Sequence, residues 1–126
     1  MEKKIINTTN APAPIGPYNQ AIFAGDTLYI SGQVCLDAAT NQLKNKDLQE
    51  ETHQVMHNLK AILEAAGLSF NHVVKTTIFL TDMNRFSEVN EIYAKYFEKD
   101  FPTRETVQVS ALPKFVNVEI SMIAVR

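Results

Sequence analysis

Cysteine occurs once in the 126 residues, at Cys35, so no disulfide can form within the chain and a cystine-stapled small fold is excluded. No apolar run approaches the length needed to cross a bilayer. The opening stretch Met1-Glu2-Lys3-Lys4-Ile5-Ile6 has neither the apolar core of a secretory leader nor the Arg-rich amphipathic pattern of a transit sequence, and a cytoplasmic location is expected. There is no excess of basic charge: 12 Lys and Arg stand against 14 Asp and Glu, for a formal net charge of −2. The basic residues are scattered singly apart from Lys3 and Lys4, in what reads as a frayed terminus. A nucleic-acid-binding surface carries a basic stripe, so this distribution argues against nucleic acid as a partner. Also missing are a Gly-rich phosphate loop, a Ser/His/Asp set and a cysteine cluster, and with them the usual sequence signs of nucleotide binding, serine hydrolysis and structural zinc.

What is present fits one globular domain over 1–126, with 45% hydrophobic and 21% charged residues. The proline-rich stretch Ala11–Tyr18 cannot be helical, because each proline fixes φ and removes a donor; it reads as an ordered loop. Gln20–Ala24 and Thr27–Val34 flank Gly25-Asp26 as a β-hairpin. In its second strand Leu28, Ile30 and Val34 face one way and Tyr29, Ser31 and Gln33 the other. Gly32 inside that strand marks a bulge or a close approach to the backbone. Leu48–Ala66 reads as a helix on the stripe Val55, Leu59, Ile62 and Leu63, stopped by Gly67. His72–Leu80 reads as a strand, and 85–98 as a second helix with Phe86, Val89, Tyr93, Tyr96 and Phe97 on one side and Asp82 or Asn84 as cap. Two closing strands follow, Thr106–Val109 and Val116–Val125.

This order predicts an α+β fold: one mixed sheet with two helices on one face. Yet two strands are apolar on both alternations. Val74, Ile78 and Leu80 oppose Val73 and Phe79, while Met122 and Ala124 oppose Ile123 and Val125. A two-faced strand needs cover on both sides, and another copy of the chain is the simplest second cover, so a homo-oligomer is expected.

Few side chains invite a chemical reading. His53-Gln54-Val55-Met56-His57 imitates a metalloprotease helix, but Gln54 stands where that chemistry needs a Glu base, no third ligand is visible, and both histidines lie opposite the apolar stripe. Cys35 has no base or cation nearby in sequence and reads as a small buried residue. Asn90 lies on the apolar side of the second helix, where either bracing a loop or lining a site would satisfy its amide. Arg104 precedes a strand and by position alone favours no role. Glu119 falls on the alternation with Ser121, Ile123 and Val125, where an interchain salt bridge and a carboxylate of raised pKa are equally open. Tyr18, read alone, plugs the proline loop onto the body.

Several motifs in order carry a resemblance over nearly the whole chain: Ala13-Pro14-Ile15-Gly16-Pro17-Tyr18-Asn19-Gln20-Ala21, Leu28–Gln33, Asn58–Gly67, Phe79–Met83, Phe101-Pro102-Thr103-Arg104, and Leu112-Pro113 through Val118-Glu119-Ile120. With them the chain resembles the reactive-intermediate deaminase family (RidA, YjgF-type), some of whose members carry an endoribonuclease label. The resemblance implies a chorismate-mutase-like fold, a homotrimer with sites between subunits, and hydrolysis of 2-iminobutanoate or 2-iminopropanoate to the 2-keto acid and ammonia, with no metal or organic cofactor. It implies that Arg104 binds the carboxylate, Tyr18 closes one side of the pocket, Gly32 lets substrate approach the strand, and Asn90 and Glu119 belong to the polar set, with Glu119 handling the water. Many relatives carry Ser and then Cys after the arginine; here Glu105 and Thr106 stand there. No thiol is available, and Thr106 offers its backbone N–H and hydroxyl to substrate. Glu105 should point away from both neighbours in a strand. Two other functions compete: an endoribonuclease, and a non-catalytic or chaperone-like binder of small carboxylates. Turnover of imino acids separates the deaminase from the second, and survival of ribonuclease activity in an Arg104 variant tests the first.

Overall fold

Apolar side chains three and four residues apart wind Leu48–Ala65 into α1, with Val55, Leu59, Ile62 and Leu63 fully buried. Asp47 caps it, its carboxylate accepting the Glu50 N–H at 2.7 Å. Gly67 ends it at φ 77°, a left-handed position that glycine fills without strain. In the computed structural model, which describes residues 2–126, α1 and the shorter α2 (Phe86–Ala94) lie on one face of a six-stranded sheet. The strands are β1 (Lys3–Ile6), β2 (Ala21–Ala24), β3 (Thr27–Gln33), β4 (Val73–Leu80), β5 (Thr103–Gln108) and β6 (Val118–Val125), in the order β1-β2-β3-β6-β4-β5. All neighbours are antiparallel except β4 and β5, which α2 joins as a crossover. The α+β layout expected from the sequence is the one observed. Leu28, Ile30, Ile78, Leu80, Val118, Ile120, Met122 and Ala124 pack beneath the helices to form the core.

Several local expectations change. Lys3–Ile6 is not frayed; it pairs along β2 as the edge strand. The bulge expected at Gly32 is there: Ile30 pairs with Met122 and Gln33 with Ile120, so Ser31 and Gly32 together oppose one residue of β6. That extra residue turns Gln33 to the core side, where it is buried, rather than out beside Tyr29. A second irregularity, between Val73 and Lys75, buries Val73 and leaves Val74 exposed, the reverse of simple alternation. α2 stops at Ala94, four residues early, and Asp82 caps the 3-10 turn before it. β5 begins at Thr103, so Arg104 lies within the strand.

The sheet face away from the helices is not covered within the chain. Tyr29 and Val107 remain 51% and 45% exposed there, in line with the two-faced strands read from the sequence. Among the described residues no helix is long and apolar enough to cross a membrane.

Two buried polar side chains tie loops to this frame. Gln20 Nε2 donates to the carbonyls of Thr8, Ala11 and Pro12 at 3.0, 3.3 and 2.9 Å, while its Oε1 accepts the Thr8 N–H at 2.7 Å. Only an amide supplies both donor and acceptor here, and it orders the proline loop. Glu51 in α1 is fully buried and accepts from Asn117 N–H, Val118 N–H and Asn117 Nδ2 at 2.7, 2.9 and 2.9 Å. It stands in the first turn of α1, where the helix dipole favours a carboxylate, and it clamps the start of β6. Glu51→Ala leaves three donors unmet and is expected to destabilise the fold by about 3 kcal/mol or more, read as a lower urea midpoint; a midpoint within error of the parent would show that the clamp contributes nothing.

Candidate active site

Strand periodicity divides the sequence-nominated residues into two groups. Arg104 and Thr106 pair with Thr76 and Ile78 of β4, so their side chains rise on the helix side. The Arg104 guanidinium lies 5.3 Å from the ring centre of Phe86 and 5.1 Å from that of Tyr93, both on α2. Cation–π contact with two rings restrains the fork without consuming its hydrogen-bond donors. Among the described residues Arg104 forms no ion pair, which leaves the fork for an external anion. Tyr93 is itself held, its hydroxyl donating to Thr76 Oγ1 at 3.0 Å; burial raises its pKa, outweighing the Thr76 bond and nearby Arg104. Asn90 stands between Phe86 and Tyr93 in the sequence of α2 and shares their helix face. Thr106 Oγ1 is buried with no hydrogen-bond partner among the described residues. Such an orphan is rare in folded chains and marks a place that a ligand, water or neighbour completes.

Glu119 lies on the other face. Its neighbours Val118 and Ile120 point into the core and are fully buried, so Glu119 projects from the open side of β6. It lies over the β3 bulge: a Cβ placed on Gly32 would meet Glu119 Cδ at 2.8 Å and Cγ at 3.0 Å. A side chain at position 32 would thus push the Glu119 carboxylate off the bulge. Ser31 fastens the bulge to the proline loop, donating through Oγ to the Asn19 carbonyl at 2.7 Å and through N–H to the Gln20 carbonyl at 2.9 Å. Tyr18 follows in that loop, and its hydroxyl accepts the Ile15 N–H at 3.3 Å. Tyr18 and Gly32 line one shallow cleft with Ile15 and Lys114. Desolvation by this partly buried setting pushes the Glu119 carboxyl above its ordinary range.

The six nominated residues thus fall into two groups, Asn90-Arg104-Thr106 and Tyr18-Gly32-Glu119, on opposite faces of one sheet. Glu105 belongs to neither. It points to the open face, paired with Lys75 at 3.1 Å and accepting from Thr77 Oγ1 at 3.4 Å, as strand alternation requires, so its charge does not oppose an anion at Arg104. Cys35 is fully buried, and burial, with Glu51 adding to it, pushes its thiol up to about 11, which fits a packing residue. His53 is not simply a solvated helix residue: its Nδ1 lies 2.7 Å from the Tyr96 hydroxyl. No group of three possible metal ligands occurs among the described residues. Phe86 and Tyr93 were legible in the sequence only as core; the signal that could have found them is two aromatic residues seven apart on the face that also carries Asn90.

Comparison with known proteins now bears on this geometry. The chain matches the endoribonuclease L-PSP family over residues 8–126. It is 53% identical over 124 residues to the mouse 2-iminobutanoate/2-iminopropanoate deaminase, covering 98% of this chain and 92% of that one. It belongs to the RidA family. Among solved structures, RidA of the Antarctic bacterium Psychrobacter superposes with a TM-score of 0.94 at 43% identity, covering 98% and 99% of the two chains. TdcF of E. coli, solved with bound serine, gives 0.94 at 43% identity and covers 98% of each. The RidA fold expected from the motifs is therefore shown, with the single mixed sheet and two helices.

The raised Glu119 pKa in this RidA-family chain carries a sign. A carboxyl whose folded pKa exceeds its unfolded value destabilises the fold at high pH, and that penalty fades as pH falls through the folded value. Glu119→Gln is expected to raise the melting temperature at pH 7, with the gain vanishing near pH 4. A lower melting temperature at pH 7 would mean that a cation or donor stabilises the carboxylate instead.

Proposed function

We propose that the protein is a 2-imino acid deaminase, converting 2-iminobutanoate and 2-iminopropanoate, reactive enamine/imine intermediates of pyridoxal-phosphate (PLP) enzymes, to 2-keto acids and ammonia. The observation that carries this reading is Arg104: a guanidinium with no ion pair among the described residues, restrained between two aromatic rings. A 2-imino acid offers it a planar carboxylate, which the fork matches with two parallel hydrogen bonds. Named relatives support the reading, since the mouse protein is called a deaminase of these two compounds and TdcF was solved holding serine, another small amino-acid carboxylate.

The chemistry asks little of the protein. A protonated imine is already electrophilic at carbon, so holding its carboxylate places that carbon for attack by water. Water adds to the C=N carbon and loses a proton; the nitrogen gains one and leaves as ammonia, while the carbinol oxygen closes to the keto group and gives up its remaining proton to the ammonia or to Glu119. Glu119 is the group for these transfers. Its raised pKa brings it nearer to neutrality, which lets one carboxyl accept a proton and return it. Thr106 and Asn90 offer the substrate further polar contacts. The step requires no metal or organic cofactor.

Read as half-sites, the two groups dictate where this happens. One chain holds Arg104 and Glu119 on opposite faces of its sheet, so on this reading the complete site joins the Arg104 face of one copy to the Glu119 face of another. A homotrimer with three such junctions satisfies this and covers the apolar sheet face. A ribonuclease reading finds less support: none of the three histidines at 53, 57 and 72 falls in either half-site.

Two measurements test the proposal. With imino acids generated in situ by an amino-acid oxidase, the parent protein should accelerate imine decay, and Arg104→Ala should lower kcat/KM at least about 100-fold, the loss of two charge-assisted bonds of roughly 1.5–3 kcal/mol each. A folded, oligomeric parent without acceleration would favour the carboxylate-binding protein. Arg104→Ala and Glu119→Gln, each nearly inactive, should regain activity when unfolded together and reassembled, because about one site in four then receives both native residues from different copies. No recovery in verified mixed oligomers would place both residues in one chain's site.

A further inference from the structure

One cation beside the Tyr18–Gly32 cleft has no part in the reaction outlined above. Lys114 lines that cleft, and among the described residues no other charged side chain lines it. It forms no ion pair among those residues. Its place is fixed by the backbone. Leu112 and Val116 on either side are buried in the core, and the Phe115 N–H closes the turn on the Leu112 carbonyl at 2.9 Å. Within that turn Lys114 takes left-handed backbone, at φ 58°. Such a conformation is disfavoured for a residue bearing a Cβ, and glycine or asparagine would make the turn with less strain. Local strain of this kind collects at functional sites. What lysine adds here over glycine is a stem in the cleft wall and a positive charge.

A single charge in this place has reach. Pro12, Ala13, Ile15, Val34 and Leu36 make much of the cleft wall apolar, and low-dielectric walls focus the field of a charge beside them. The carboxylate of Glu119 lies over Gly32 in the floor of the same cleft. When ionised it opposes an arriving anion, and a cation in the wall offsets that repulsion. The two are not paired: desolvation alone shifts the Glu119 carboxyl, so Lys114 leaves it in the raised range that proton transfer uses. A 2-imino acid is itself an anion until Arg104 takes its carboxylate.

We propose that Lys114 is a positioning residue: its ammonium attracts the carboxylate of an arriving 2-imino acid to the Tyr18–Gly32 cleft, and so governs capture of the substrate rather than the steps that follow. This rests on the deaminase reading for its substrate. In the assembled protein, kcat and kcat/KM are measured separately across ionic strength, with imino acids generated in situ at matched flux. At about 0.01 M salt, where charges act over about 30 Å, Lys114→Gln should lower kcat/KM about tenfold and leave kcat within about twofold; at about 1 M salt, where that range shrinks to about 3 Å, variant and parent should converge. Lys114→Arg should match the parent. Lys114→Gly, which suits the turn, should behave as Lys114→Gln does, which separates the charge from the backbone and carries the same test if the glutamine variant fails to assemble. Equal loss of kcat and kcat/KM, a deficit that persists at high salt, failure of arginine to substitute, or no change at low salt would each overturn the proposal. Calorimetric binding of 2-oxobutanoate needs no turnover. Binding weakened in Lys114→Gln at low salt only, with no imine hydrolysis by the parent, would sink the deaminase reading alone; hydrolysis that Lys114→Gln leaves unchanged at every salt would sink this one alone.

Discussion

Everything about the site follows from the two-residue period of a β-strand. Val118, Ile120, Met122 and Ala124 must face the helices to build the core, and Glu119 between them must therefore face away. Arg104 sits beside Thr76 and beneath α2, and it must face the helices. A sheet is too thick for two such side chains to meet around it. No change of rotamer brings them together, and a second copy of the chain is the economical solution. The same period leaves Tyr29, Val107 and Ile123 on an open apolar face, so the need for cover and the need for a complete site have one origin.

Given that constraint, the remaining structure keeps each half-site in register without help from the other. The Tyr18 half is irregular chain, a proline loop over a bulge, and irregular chain does not hold its own shape. Gln20 supplies the missing order by answering three carbonyls and an N–H with one amide, and Ser31 ties loop to bulge. Glu51 does the same for β6, holding Asn117 and Val118 immediately before Glu119. On the Arg104 half the order comes from aromatic packing on α2 and the Tyr93–Thr76 bond.

How much of this was readable beforehand depended on the range of the interaction. Periodic, local features were legible: α1 with its Gly67 stop, the hairpin at Gly25, the two-faced β4 and β6, and the orientation of Glu105. Features set by one extra residue were not. A bulge at Ser31–Gly32 turns Gln33 inward and another beside Val74 turns Val73 inward, and alternation alone assigns both wrongly. β1 was missed because an edge strand with Lys3 and Lys4 lacks a hydrophobic pattern. Contacts between distant segments were invisible. Glu51 reaches across 66 residues to Asn117, and nothing in the helix sequence names that partner. The site residues themselves came from motif resemblance; bottom-up reading left Arg104 without a role because its aromatic cradle is made by a helix that precedes it.

The proposed division of the site between copies has an electrostatic consequence. Were Arg104 and Glu119 neighbours on one face, the guanidinium and carboxylate would pair, and a substrate carboxylate would have to displace an internal one. The pairing would also pull the Glu119 pKa down, away from the range in which it can exchange protons. Held on opposite faces, each keeps the property that the reaction uses. Arg104 stays free of an internal anion, and Glu119, desolvated with no cation beside it among the described residues, keeps a raised pKa. In the proposed reaction, bound substrate would stand between them, with its own carboxylate meeting the guanidinium and the imine carbon turned toward Glu119. On that proposal the substrate, rather than the protein, completes the ion pair at Arg104, an arrangement suited to small acids carrying one carboxylate and an adjacent electrophilic carbon.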